Sequence, residues 1–93
     1  MMPSLEERVA ARLARLENWC RDNGVMVSPA GEVCERDAAR LLGYHSPKAL
    51  RRQAIEGRLS PVLRRRRCGP RWLYTLDSIA EHIERELDRY AVS

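Results

Sequence analysis

The sequence predicts a mostly helical α+β fold: four helices, with a two-stranded hairpin between the third and the last. Three observations predict it. Apolar residues recur every three or four positions in separate stretches, the signature of helices with one buried face. Those stretches are punctuated by capping residues ahead (Ser4, Ser46, Thr75) and glycines behind (Gly24, Gly43, Gly57). Two short arginine-rich pieces meet at Gly69-Pro70, a turn signal. A chain of 93 residues suits a single core, which should bury roughly 60% or more of the extended surface.

The first helix is expected over 4–22. Ser4 and Glu7 form a capping box, and Leu5, Val9, Leu13, Leu16 and Cys20 make one stripe with Trp19 beside it. Asn23-Gly24 ends it. Val25–Ser28 reads as a short strand and Pro29-Ala30-Gly31 as a turn or linker. The organisation expected is therefore an N-terminal helix and linker over 1–30, followed by a domain over 31–93. A second helix covers 35–42, with Ala38, Ala39, Leu41 and Leu42 apolar and Gly43 as its stop. Ser46 caps a third over 47–56, where Pro47 occupies the first position, at which its missing N–H costs nothing. Leu50, Ala54 and Ile55 are expected to face the core, leaving Lys48, Arg51 and Arg52 outside. The hairpin arms are Val62–Arg66 and Arg71–Tyr74. Thr75 caps the last helix, 76–90, with Leu76, Ile79, Ala80, Ile83, Leu87 and Tyr90 as its stripe.

Charge is unevenly distributed. Residues 41–75 hold nine basic side chains against Glu56 alone, +8, whereas 1–40 carry −1 and 76–93 carry −3. A solvated face mixes signs, so this block implies a polyanionic partner. Other classes recede. The apolar runs are too short to cross a bilayer, and the acids and arginines near the N-terminus do not resemble a signal peptide. Cys20, Cys34 and Cys68 are odd in number and widely spaced, which argues against a disulfide framework and a zinc site and fits a reducing, cytoplasmic setting. His45 and His82 lack metal-ligand spacing. With no paired carboxylates, nucleophile–base set or glycine-rich phosphate loop, neither an enzyme nor a cofactor is expected.

The order helix, tight turn, helix, basic hairpin, helix is that of a winged helix-turn-helix, here with an extra N-terminal helix. A major groove about 12 Å wide admits one helix, and arginines on a hairpin suit the backbone or the minor groove. At ERDAARLLGYHSPKALRRQAIEGRL and RRRRCGPRWLYTLDSIAEHI the chain resembles the excisionases of phages and integrative elements, within the MerR-like winged-helix group. The shared pattern includes Leu-Leu-Gly before a Ser-capped recognition helix and a Gly57-x-Leu59-x-Pro61 step after it. A basic wing follows, ending in Arg71-Trp72-Leu73-Tyr74, and then a helix introduced by Asp77. The resemblance covers about residues 32–84. Two departures stand out: the recognition helix is one residue longer than usual, and the N-terminal helix is extra and has no counterpart in the resemblance; the resemblance also has Ser or Thr more often where Cys34 stands.

The resemblance implies a non-catalytic protein that binds repeated sites in double-stranded DNA, bends them and biases an integrase towards excision. Ser46, Lys48, Arg51 and Arg52 would form the recognition-helix contacts, and Arg64, Arg65, Arg66, Arg67 and Arg71 those of the wing. A stand-alone repressor shares every feature, and a terminase small subunit uses a similar domain. A protein adaptor whose wing meets an acidic partner is the rival of a different class. The charge runs also have plainer readings: Arg64–Arg67 as a solubilising loop, and the helical cations as an ordinary wet face. Trp72 and Tyr74 read as core anchors under the wing. The stripe of Leu5, Val9, Leu13 and Leu16 either packs on the chain's own helices or pairs with a second copy. Self-association into a homodimer or an array on DNA is the expectation, since a winged domain is complete without that helix.

Overall fold

A computed structural model describes residues 2–91 of the chain. Helices α1 (Leu5–Asp22), α2 (Glu35–Leu42), α3 (Pro47–Ile55) and α4 (Leu76–Ala91) combine with strands β1 (Glu32–Cys34), β2 (Arg65–Cys68) and β3 (Arg71–Thr75). The fold is α+β and mostly helical, as the sequence predicts. The sheet has three antiparallel strands rather than two, in the order β1-β3-β2.

Local chemistry sets the helix ends. The Ser4 hydroxyl accepts the Glu7 N–H at 3.1 Å while the Glu7 carboxylate accepts the Ser4 N–H at 3.2 Å, so the expected capping box forms. Ser46 accepts the Ala49 N–H at 3.2 Å and caps α3 with Pro47 behind it. The end of α2 is a Schellman motif: Tyr44 N–H reaches Ala39 O at 2.8 Å and Gly43 N–H reaches Arg40 O at 3.2 Å. Gly43 takes φ +84° there, a region nearly closed to residues with a Cβ, and this fixes the angle at which the chain turns into α3.

The hairpin turns on Gly69-Pro70 alone. Gly69 has φ +63°, and proline's ring holds φ negative, the sign pattern of a type II′ turn whose twist matches the flanking strands. Its first arm begins later than the expected Val62. Ser60 instead closes a turn, accepting the Leu63 N–H on its carbonyl and the Val62 N–H on its hydroxyl. The segment Val25–Ser28 is not a strand either. The Val25 N–H completes the end of α1 by bonding Cys20 O at 2.8 Å, and Ser28 opens a tight turn that delivers Glu32–Cys34 to β3.

The core gathers Leu16 and Cys20 of α1, Val33 of β1, Ala38 and Ala39 of α2, Leu50 of α3, Tyr74 of β3, and Leu76, Ile79 and Ala80 of α4. Burying a side chain such as Leu50 contributes roughly 1.5–3 kcal/mol. Three expected core positions lie outside it. Ile55 is 78% exposed, because it follows Leu50 by five residues and so points about 140° away from it around the helix. Leu87 and Tyr90, at the far end of the α4 stripe, are also exposed.

The N-terminal helix is part of this body. It runs antiparallel to α4, with Arg8 bonded to Asp88 at 2.6 and 2.8 Å and Arg12 to the buried Glu84 at 2.8 Å. Leu16 is buried, and Val9 and Leu13 pack against the core. Most of the stripe expected to meet a second copy is thus spent on the chain's own α4. Among the described residues no helix is long and apolar enough to cross a membrane.

Candidate nucleic-acid interface

The cations of the basic segment lie on two neighbouring elements, and the pleat sorts those of the hairpin. Arg65 and Arg67 stand opposite Tyr74 and Trp72, on the sheet face that carries the buried Val33 and Tyr74. Arg66 and Cys68 project from the other face. The Arg65 guanidinium lies 3.8 Å from the centre of the Trp72 ring, so the tryptophan is a half-buried platform under the hairpin and Tyr74 its fully buried anchor.

Four basic side chains are already engaged by carboxylates. Arg66 makes a two-point contact with Glu32, at 2.7 and 2.9 Å. That bond is the chief reason the Glu32 carboxyl is held below its ordinary pKa; the Ser28 hydroxyl acts in the same direction and burial opposes both. Arg51 reaches the Glu35 Oε1 at 2.7 and 3.1 Å, Arg64 pairs with Asp77 at 3.0 Å, and Arg58 pairs with Glu56. Asp77 is also held low, first by its hydrogen bond with Thr75. The base of the hairpin is pinned further: the Arg64 N–H donates to the buried Ser78 hydroxyl at 3.0 Å. Two buried polar atoms near this framework, Glu35 Oε2 and the Tyr74 hydroxyl, have no hydrogen-bond partner.

What remains is a set of exposed cations without an ion pair among the described residues: Lys48 and Arg52 on α3, Arg67 and Arg71 on the hairpin, and Arg36 in the first turn of α2. Lys48 and Arg52 are one turn apart on a single face. The Arg67 Nε donates to Gly69 O at 3.1 Å, which steadies that side chain at the hairpin tip. Between the starts of α2 and α3 and the hairpin runs an open groove of about 670 Å³, lined by Arg36, Arg51, Arg67 and Arg71 with Pro47 and Trp72.

The structure brings Arg51, Arg67 and Arg71 together around one groove and turns Lys48 and Arg52 to solvent beside it. It ties Arg64 and Arg66 back to the body, and the Ser46 hydroxyl is occupied as a helix cap. Sequence reasoning missed Arg36, which lies on an otherwise near-neutral stretch; its place two residues after the cap of α2 was the available signal. It also missed Glu32 and Glu35 as the partners that divide held from free arginines.

The chain matches no protein-family model, no curated protein and no solved structure.

Proposed function

We propose that this protein binds double-stranded DNA as a winged helix-turn-helix, with α2 and α3 as the helix pair and β2–β3 as the wing. One observation carries the reading: Arg36 at the start of α2 and Arg67 and Arg71 of the hairpin, exposed and without an ion pair among the described residues, line one groove with the Glu35-held Arg51 of α3, while Arg64 and Arg66 are held by carboxylates and Arg65 is stacked on Trp72. Attraction to phosphates supplies affinity, and Lys48 and Arg52, with Arg51 oriented by Glu35, supply base contacts in the major groove. The wing arginines Arg67 and Arg71 lie along the backbone or enter the minor groove.

Gel retardation of random-sequence duplex DNA at about 50 mM salt tests this, since nonspecific electrostatic binding is strongest at low salt. Retention is expected for the full chain. Its absence refutes DNA binding and favours an adaptor whose wing meets an acidic protein. Within DNA binding, the role proposed is that of an excisionase-like architectural factor acting with an integrase. Mapping of bound sites distinguishes it from a repressor: clustered direct repeats beside an attachment site support the first, and a lone palindrome at a promoter the second.

A further inference from the structure

Resting on the DNA-binding reading, we infer that Ile55 reads the 5-methyl group of a thymine in the major groove. Ile55 closes α3 and is 78% exposed. It lies seven residues from Lys48 and three from Arg52, so the three share one face, with Lys48 and Ile55 about 10.5 Å apart along the axis. That span matches the stretch of recognition helix a groove can engage. A β-branched side chain in a helix has one strongly preferred χ1 setting, so the methyl groups of Ile55 are held in place before any contact forms.

The surroundings select the occupant. Ile55 is a single apolar side chain among Lys48, Arg51, Arg52 and Arg58, with Glu56 already paired to Arg58. A stable protein–protein interface needs about 800 Å² from each partner, far more than one side chain supplies. The partner must therefore be an anion that offers a small apolar group in the middle of its charged surface. The major-groove edge of DNA does so at one chemical group, the thymine C5-methyl.

The test uses the full chain and the duplex it selects from a random-sequence pool. Each thymidine is replaced in turn by deoxyuridine, which removes the methyl and leaves every hydrogen-bonding group. At one position the wild-type protein should lose about fourfold in affinity, the worth of burying one methyl-sized group. Ile55→Ala should bind the unmodified duplex more weakly by a similar factor and lose nothing further at that deoxyuridine. As Ile55 is on the surface, the variant keeps the core intact. A wild-type protein indifferent to every replacement overturns the inference, as does a variant that keeps the full sensitivity. Binding of duplexes without any sequence preference also overturns it while leaving DNA binding standing. Failure to retain any duplex removes both.

Discussion

Replacing Arg67 and Arg71 together by glutamine should flatten the salt dependence of DNA binding, whereas removing the Arg66–Glu32 pair should not. Among the described residues, the exposed cations without an ion pair around the groove and on α3 are Arg36, Lys48, Arg52, Arg67 and Arg71. If each, whether it sits on the backbone or between the strands in the groove, neutralises one phosphate charge, the logarithm of affinity should fall against the logarithm of salt with a slope of about −4.5. Raising salt from about 50 to about 200 mM then weakens binding roughly 500-fold. Without Arg67 and Arg71 the slope becomes about −2.7, and the same change in salt costs roughly 40-fold. The control variant combines Glu32→Gln with Arg66→Gln, which keeps net charge while removing a compensated pair; its slope should stay near −4.5. Fluorescence anisotropy of a labelled duplex, titrated at several salt concentrations, reads all three slopes. Equal flattening in both variants would refute the division into held and free arginines. A wild-type slope near zero would refute the electrostatic mechanism itself.

Three further expectations concern the framework that presents these cations. Gly43→Ala should lower stability by about 1–2 kcal/mol, visible as a lower thermal midpoint, because φ +84° strains any residue with a Cβ although the space around it is open. Cys34→Ser should raise stability by roughly 0.5–1 kcal/mol, since α2 has no side-chain cap at Cys34 and a hydroxyl supplies one; an unchanged urea midpoint would show the site already satisfied. Acid should destabilise the fold through Glu32 and Asp88, whose carboxyls the hydrogen bonds from Arg66 and Arg8 hold below their ordinary values. For such depressed groups the stabilisation is present above the unfolded pKa and lost as pH falls through the folded one, so the urea midpoint should hold steady from about pH 7 to 5 and drop below about pH 4. Asp88→Asn should shallow that drop, and a midpoint indifferent to acid would count against both pairs.

How much of this was legible in the sequence depended on the range of the interaction. Ser4 with Glu7, Ser46 with Ala49 and Gly43 after Leu42 act within a few residues, and each forms where the sequence indicates. Strand β1 was invisible because three residues carry no usable periodicity; Glu32–Cys34 becomes a strand only by pairing with Leu73–Thr75 far along the chain. Ile55 was misplaced because an apolar residue near the end of a short helix fits a core stripe as readily as an exposed one, and only the packing of Leu50 decides. The basic block was plain as a sum, yet its division into held and free arginines depends on carboxylates at sequence separations of 16 and 34 residues.

That division has an energetic consequence for the wing. Glu32 is 4% exposed, with Arg66 covering both of its oxygens. A phosphate that drew Arg66 away would leave a buried carboxylate without its counterion, and stranding a buried charge costs far more than one surface phosphate contact returns. Arg66 is therefore expected to stay on Glu32 in any complex with a polyanion and acts as the pin that fixes the hairpin to β1. Arg67, one residue on and facing the other way, has no such partner to abandon. On the proposed reading, two adjacent arginines of identical chemistry thus divide between holding the hairpin in place and gripping DNA, because the strand's pleat turns one towards a buried carboxylate and the other towards the groove.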